Sequence, residues 1–443
     1  MQQSMRPHHG ASRPFPARGP LVAFVLAIAF FAVAGLSFGQ LVPSGGEFRV
    51  NTTTAGNQGF PAVAMAADGD FVIAWESGGD HDTSGFGVFA RLFDADTAPE
   101  SGELAVNTFV TDNQWEPAVA FGPTGDFVVV WESEGQDGSL FGVYAQRFDA
   151  AGMPLGDEIP VNTTTAADQE FAEVAVAADG RFLVVWESDG QDGSFGSIVA
   201  RLFGADGAPL TGEIAVNTTT LDNQNDPVVV AVANGFRIAW ESDAVDGSGE
   251  AVVMRSFDLD AMPTSGEVTV NLSTSGDQED PDLAVLADGR FAVVWESDGQ
   301  DGDGESVVAR VFAADGTALT GELVLNQTIL GDQQDPRLTA LGADSFAAAW
   351  VGPAPGGILD VWLRRFDVDA LELGDEIRVT APAAAPNDVP DLAADGNGSL
   401  VTSWLSFTGD GDGAGVFARR YEVAFFADGF ESGDLTAWSS SVP

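Results

Sequence analysis

The chain has 443 residues, of which 67 are acidic and 18 basic, with a formal net charge of −49 at pH 7 and no cysteine. So large a negative charge excludes partners whose phosphates need basic side chains, so neither nucleic acid nor an anionic membrane surface is an expected partner. Without cysteine there are no disulfides and no thiol chemistry.

Residues 1–39 are predicted to be an export segment. Arg6, Arg13 and Arg18 precede an apolar run from Leu21 to Leu36, and small residues suited to cleavage follow at 34–39. The run of 16 residues is shorter than the roughly 20 that span a membrane, and an uncleaved anchor is the alternative. A secreted or cell-surface protein is expected. Removal of the three arginines takes the net charge from −49 to −52.

A tandem repeat fills most of the remaining chain. Its marker is a tryptophan that recurs every 54 to 56 residues, at Trp75, Trp131, Trp186, Trp240, Trp295, Trp350 and Trp404. Short β-patterned runs repeated at a fixed period of this order are typical of propellers and solenoids. Seven units are therefore predicted.

Each repeat contains four short strands, which we call A to D. In the second repeat they are predicted at 117–121, 127–132, 142–148 and 158–161, separated by Gly, Asp and polar turns. Strand B is apolar on both faces, as expected for a strand that lies between two neighbouring sheets. The predicted fold is all-β, a seven-bladed β-propeller of four-stranded antiparallel blades.

The count of strands predicts how the ring closes. Strand D occurs six times for seven sets of A, B and C, and the seventh copy, at residues 47–51, precedes the first blade. The N-terminal strand is therefore expected to complete the last blade, which removes the exposed edges. The propeller should span residues 40–423 and be followed by a tail at 424–443. Glu47 is then expected to pair with Arg419.

Charged residues recur in strands C and D. Folding each C–D hairpin about its turn should place the arginine of strand C opposite the glutamate of strand D, as in Arg91 with Glu103 and Arg201 with Glu213. Such cross-strand pairs contribute about 0.2–1 kcal/mol each. These residues are predicted to be structural.

The D–A and B–C connections share one face of a propeller, which we call the loop face; the A–B and C–D turns form the turn face. The short A–B turns are interpreted as turn chemistry only. The Asn-Thr-Thr-Thr loops between D and A are interpreted as side chains that satisfy the loop backbone. Several B–C loops alternate carboxylates with glycine, as a hard cation such as Ca²⁺ requires. The candidate metal ligands are Asp298, Asp301, Asp303, Glu305, Asp410 and Asp412. Solvated acidic turns are the alternative.

Three aromatic residues on the loop face depart from the repeat. Trp115 lies in a D–A loop, and Phe141 and Phe195 lie beside B–C loops. They are candidate ligand-binding residues that could stack on sugars; loop packing is the alternative interpretation.

The repeats resemble the tandem propeller-like repeats of large secreted bacterial proteins. The resemblance rests on the Asn-Thr-Thr-Thr loop, the Phe-Val-Val-x-Trp-Glu-Ser strand and the Arg-x-Phe-Asp strand, from Glu47 to about Tyr421. It implies an extracellular, non-catalytic role such as adhesion. Integrin-type calcium propellers are only distantly similar, because their Phe-Gly-Gly-Ala-Pro motif is missing. The tail from Phe426 to Trp438 resembles a short motif that ends many secreted bacterial proteins.

No catalytic residue is predicted, because the three histidines are His8, His9 and His81 and the arginines belong to the repeat. The main hypothesis is a secreted, non-catalytic binding or adhesion propeller, stabilised by Ca²⁺, whose partner is a protein or a glycan. The alternative is a lectin or glycosidase that acts from the loop face.

Overall fold

The structure, a computed structural model, describes residues 39–79, 84–243, 245–368, 374–381 and 386–424. Residues 1–38 of the predicted export segment and 425–443 of the predicted tail lie outside the described residues. In the described part of the chain, no helix is long and apolar enough to cross a membrane.

Seven antiparallel sheets form the seven blades, and the predicted propeller is confirmed. Strands A are β3 (Gln58–Met65), β7 (Gln114–Phe121), β11 (Gln169–Val176), β15 (Gln224–Val232), β19 (Gln278–Val285), β23 (Gln334–Ala340) and β27 (Asn387–Ala394). Strands B are β4 (Phe71–Gly78), β8 (Phe127–Glu134), β12 (Phe182–Asp189), β16 (Gly235–Asp243), β20 (Phe291–Asp298), β24 (Ser345–Pro353) and β28 (Ser399–Ser406). Strands C are β5 (Phe86–Phe93), β9 (Phe141–Phe148), β13 (Gly196–Phe203), β17 (Glu250–Asp258), β21 (Glu305–Phe312), β25 (Leu359–Asp367) and β29 (Gly415–Ala424).

The outer strands D are two residues long, shorter than predicted. They are β6 (Leu104–Ala105), β10 (Ile159–Pro160), β14 (Ile214–Ala215), β18 (Val268–Thr269), β22 (Leu323–Val324) and β26 (Ile377–Arg378), with the N-terminal β1 (Gln40–Pro43) and β2 (Phe48–Arg49) in the last blade. Strands A of neighbouring blades contact each other all round the ring, so strands A line the central channel.

The hydrophobic core lies between the blades. Val128 and Val130 of β8 pack against the third blade, whereas Val129 and Trp131 of the same strand pack against the first. All seven repeat tryptophans are at most 1% exposed. The two apolar faces of strand B are thus explained, because each blade is covered on both sides. Truncation of such a tryptophan to alanine costs about 3–5 kcal/mol.

The N-terminal strand closes the ring as predicted. Phe48 and Arg49 of β2 pair with β29, and β1 extends the same edge by pairing with residues 421–424. Val50 is fully buried in the core between the last and first blades. Glu47 and Arg419 form an ion pair 4.0 Å long. Glu47 also accepts the N–H of Ala381 in the preceding D–A loop.

The predicted pairing of Arg201 with Glu213 is wrong, because both side chains reach the preceding blade. Arg201 Nη1 donates to the Val161 carbonyl at 2.7 Å, and Glu213 Oε1 accepts the N–H of Thr164 at 2.8 Å. Among the described residues no ion pair joins Arg201 to Glu213. Burial would raise the pKa of Glu213, but the donors of Thr163 and Thr164 lower it below its usual value. The N–H groups of the D–A loop thus bind the Glu213 carboxylate in place of Arg201. Arg201 and Glu213 each tie two blades together rather than two strands of one blade.

Candidate functional site

The central channel opens on the loop face through a rim that we call the mouth. It is formed by the second and third residues of the strand A segments, counted from the repeat glutamine (Asn387 in the last blade). The third residues all have φ between 46° and 52°, and they are Phe60, Glu116, Phe171, Asp226, Asp280, Asp335 and Val389. Each coincides with a shift in the A–B register. A proline follows in six of the seven blades, and because proline has no N–H, the ladder is interrupted there.

One side of the mouth is aromatic. The rings of Trp115 and Phe141 are stacked with centroids 5.4 Å apart, and Phe86 of the preceding blade meets Trp115 edge-on at 6.5 Å. We call these three residues the aromatic triad. Phe60 and Phe171, third residues of the flanking blades, remain 41% and 40% exposed. A left-handed backbone is costly for phenylalanine, and such strain is often associated with function.

The same repeat positions are acidic three blades further on. The first residues of β17 and β21 are Glu250 and Glu305, and Glu279 is the second residue of β19. We call these three residues the carboxyl triad. Carboxylate oxygens of Glu279, Glu305 and the neighbouring Glu296 lie within 4.8 Å of one another. Burial, together with the hydrogen bond and charge of Glu279, raises the pKa of Glu250 to about 8.

A glutamate follows the tryptophan of strand B in the first five blades, and we call these residues the bridging glutamates: Glu76, Glu132, Glu187, Glu241 and Glu296. Glu132, Glu241 and Glu296 each accept the N–H of the third strand A residue of the next blade. Burial raises the pKa of Glu76 to about 7 and of Glu187 to about 8. Glu132, Glu241 and Glu296 therefore satisfy the strained backbone of the neighbouring blade, and burial raises the pKa of all five bridging glutamates.

Two carboxyl groups, Glu116 and Glu170, belong to the rim of the second and third blades. Glu116 follows Trp115 and is hydrogen-bonded to the buried Glu132, whose pKa is raised well above its usual value by burial and by Glu116. Glu132 thus holds the proton of this pair. Glu170, the second residue of the next strand A, is half-buried, and its pKa is raised to about 7 by burial and by Asp168, Asp189 and Glu116. Glu170 can thus donate a proton near neutral pH, and Glu116 accepts a hydrogen bond from the protonated Glu132.

Charged groups also fill the channel below the mouth. Asp282 and Asp391 accept the N–H groups of Leu338 and Val63 on neighbouring strands A, each at 2.6 Å. Arg337 lies among these carboxyl groups; burial would lower its pKa, but Asp282 and Asp391 raise it above its usual value. The carboxylates thus satisfy inner strand edges that have no further strand to pair with.

The six predicted metal ligands are not brought together. Asp301 and Asp410 accept hydrogen bonds from Asn326 (2.6 Å) and Asn51 (3.2 Å), tying their B–C loops to the adjacent D–A loops. Asp298, Asp303 and Asp412 are exposed. Glu305 belongs to the carboxyl triad. A calcium site at these loops stays a prediction.

Of the three aromatic residues predicted to bind a ligand, two lie together and one lies apart. Trp115 and Phe141 meet in the aromatic triad, whereas Phe195 is 66% exposed and has no ring contact among the described residues. Sequence reasoning missed Phe86, Glu116 and Glu170, together with Glu250 and Glu279 of the carboxyl triad, whose third member had been predicted as a metal ligand. A signal was available for the strand A residues, because most residues at the two positions after the repeat glutamine are aromatic or acidic inside an otherwise regular strand.

The turn face, interpreted as turn chemistry only, contains a cavity of about 1540 Å³. Its lining includes Met65, Phe121, Val176 and Val285 at the ends of strands A, with the A–B turns of the first five blades. Charged side chains such as Arg237 also line it. We place the candidate site at the mouth on the loop face, because stacked aromatic rings and carboxyl groups with raised pKa values occur there together.

No family model matches the chain, and no curated protein matches it in sequence. Solved structures resemble it in fold. A protein of unknown function from Dyadobacter fermentans is 10% identical, with a TM-score of 0.51 over 86% of this chain and 99% of that chain. An ulvan lyase bound to -[GlcA(1-4)Rha3S]- is 8% identical, with a TM-score of 0.52 over 84% of this chain and 95% of that chain. The Penicillium chrysogenum α-L-arabinanase with arabinobiose is 16% identical, with a TM-score of 0.45 over 68% of this chain and 92% of that chain.

Identities this low establish the fold alone. The named activity among the reported structures with a TM-score above 0.5 is that of the polysaccharide lyase. This finding overturns the non-catalytic, adhesion-type role expected from the sequence and favours its carbohydrate alternative. A common fold does not transfer an activity, so the chemistry must be argued from the mouth itself.

Proposed function

We propose that the protein binds a glycan across the mouth and cleaves a glycosidic bond there with a pair of carboxyl groups. The observation that carries this proposal is that Glu116 follows Trp115 of the stacked Trp115–Phe141 pair and interacts electrostatically with Glu170 of the next blade. A flat apolar platform in the same rim as two carboxyl groups combines sugar binding with acid–base chemistry.

The aromatic triad is the binding part of the proposal. Its stacked rings present a flat apolar face of the kind on which the C–H face of a sugar ring packs. Phe60 and Phe171 extend the apolar surface to the blades on either side, so several sugar units can lie along the mouth. This supports an extended chain as the ligand.

The acid–base part uses the two carboxyl groups. Glycoside hydrolysis needs one protonated carboxyl group to protonate the leaving oxygen and a second carboxylate to act as base or nucleophile. Glu170 has a pKa near 7, which suits a general acid at neutral pH. Burial raises the pKa of Glu116 above its usual value, but the hydrogen bond that it accepts from Glu132 opposes this rise and favours Glu116 as the ionised group of the pair, which suits the second role. Glu132 is only 3% exposed and therefore acts as a positioning residue.

The expected export of the chain agrees with this role. A polysaccharide too large to enter a cell has to be met outside it, and residues 1–39 have the pattern of an export segment. Secretion is thus part of the proposal.

The test is release of reducing ends from a panel of polysaccharides by residues 40–443, compared with Glu116→Gln and Glu170→Gln. Both variants keep the side-chain volume and should still bind the substrate while losing cleavage. Asp157→Asn, at an exposed C–D position on the turn face, is the matched control and should cleave normally. Binding without cleavage by the unaltered protein would contradict the catalytic part of the proposal, and failure to bind any polysaccharide would contradict all of it.

A further inference from the structure

Two exposed phenylalanines flank Glu116 along the rim. Phe60, Glu116 and Phe171 are the third residues of strands A in the first, second and third blades. The two phenylalanines are 41% and 40% exposed, and neither has a ring contact among the described residues. The rings of the aromatic triad cover one another, whereas Phe60 and Phe171 leave a face free for a ligand.

The fold does not explain a phenylalanine at this position. The backbone there is left-handed in every blade, a conformation that aspartate tolerates better than bulky residues do. Asp226, Asp280 and Asp335 occupy the position in the fourth to sixth blades. A phenylalanine that stays this exposed also gains little from burial, so a role in binding accounts for Phe60 and Phe171.

Phe171 is tied to the proposed catalytic pair through Glu132. The carboxyl group of Glu132 accepts the N–H of Phe171 and is hydrogen-bonded to Glu116. That N–H belongs to the peptide bond that follows Glu170. From the first blade, Glu76 accepts the N–H of Glu116. A sugar that stacks on Phe171 is therefore held at a fixed position relative to both carboxyl groups.

The rim has no basic side chain to hold an acidic sugar. Neither the first residues of strands C nor the second and third residues of strands A include an arginine or a histidine. The chain contains no lysine, and Arg337 lies deeper in the channel, where Asp282 and Asp391 face it. Carboxylate and sulfate groups are recognised by basic side chains, and the carboxyl groups of the rim would repel them. The charge of the rim thus favours an uncharged glycan.

We propose that the substrate is an uncharged polysaccharide that is cut at internal bonds, with Phe60 and Phe171 as platforms for sugar units on opposite sides of the bond that is cleaved. This inference rests on the proposed function and specifies its substrate class. Because the platforms lie in the blades on either side of Glu116, a chain that reaches both of them extends past Glu116 in both directions. Attack at a chain end would use one platform only.

The first experiment measures cleavage by residues 40–443 of two sets of soluble polysaccharides. The uncharged set is arabinan, xylan, galactomannan and mixed-linkage β-glucan, and the acidic set is polygalacturonate, alginate and chondroitin sulfate. Reducing ends and viscosity are followed together. We expect cleavage within the uncharged set alone, with the viscosity falling before small sugars accumulate, because cuts at internal bonds shorten the polymer at once.

The second experiment compares Phe60→Ala and Phe171→Ala on the polysaccharide that is cleaved fastest. Loss of one stacking contact should raise KM about three- to tenfold and leave kcat within about twofold, because the rings hold the chain and transfer no proton. Phe60→Tyr and Phe171→Tyr keep a ring and should restore the KM. Phe407 is 44% exposed outside the rim, and Phe407→Ala is the matched control.

The outcomes separate this inference from the function on which it rests. Cleavage of the acidic set, alone or together with the uncharged set, would overturn the substrate class and leave a glycan-cleaving mouth. Release of sugars from chain ends without a fall in viscosity, or an unchanged KM in either alanine variant, would overturn the two platforms. Absence of cleavage in both sets would overturn the proposed function and this inference with it.

Discussion

The two sides of the mouth share a backbone and differ in chemistry. Phe86, Trp115 and Phe141 pack on one another and bury much of their own surface. Glu250, Glu279 and Glu305 stand at the equivalent positions, and burial followed by neighbouring carboxyl groups raises the pKa of Glu250 and Glu305. A repeat protein can therefore hold its architecture constant while different blades acquire different ligand chemistry, because the rim residues contribute little to the core between blades.

The largest expected effect tests whether catalysis belongs to the aromatic side. Glu170→Gln should lower the rate of glycan cleavage by about 10²–10⁴-fold, because it removes a general acid. The carboxyl-side change Glu279→Gln should lower it far less on a neutral substrate. Initial rates of reducing-end release at saturating substrate measure both. A larger loss in Glu279→Gln than in Glu170→Gln would move the catalytic centre to the carboxyl triad.

Replacement of Arg337, the cation in the channel, should destabilise the whole propeller and therefore affect both sides of the mouth. Arg337→Met leaves Asp282 and Asp391 without the positive charge that offsets their burial. Loss of one partner from a buried charged group typically costs about 3–5 kcal/mol. Denaturant unfolding at pH 7 measures the loss, and Arg181→Met on the surface is the control. An unfolding free energy equal to that of the unaltered chain would show that the channel carboxyl groups need no counter-charge.

The dependence of stability on pH should come mainly from raised carboxyl pKa values. Burial raises the pKa of Glu76 to about 7 and of Glu187 to about 8 from a usual 4.5, and that of Glu250 is also about 8. The folded state then binds more protons than the unfolded state between pH 4.5 and 8, so stability is greatest near the lower end and falls as the pH rises through 7 to 8.

Melting temperatures at fixed ionic strength from pH 5 to 8.5 check this expectation. Glu250→Gln should flatten the upper part of the profile because it removes one titrating group. A melting temperature that rises steadily across this range would contradict the protonated state of these glutamates.

The smallest of these effects concerns calcium, which the acidic loops of the fifth and seventh blades predict. A cation that binds only the folded state at 100 times its dissociation constant stabilises it by about 2.7 kcal/mol. Thermal unfolding in EDTA, in CaCl₂ and in NaCl of matched ionic strength separates binding from screening. Asp298→Asn should abolish a calcium-specific increase if that loop is the site. An identical increase in both salts would identify screening of the net charge.

The sequence by itself determined the architecture. The tryptophan period, the apolar character of both faces of strand B and the surplus strand at residues 47–51 each express packing rules that act within one blade or between adjacent blades. These rules are local and repeat seven times, so the pattern can be recognised in the sequence alone. Ring closure followed from counting strands, because an unpaired edge is unfavourable.

Which residues meet at the mouth was decided only by the tertiary structure. Phe86 and Trp115 come from different blades, and Glu132 reaches the N–H of Phe171 in the next blade. The left-handed backbone at the third residue of strand A sets the direction of the rim. It leaves no periodic hydrophobic signal in the sequence. Arg201 and Glu213 likewise contact the preceding blade rather than each other. A contact between blades depends on how the ring brings strands together, whereas the repeat pattern specifies only what each strand needs to fold.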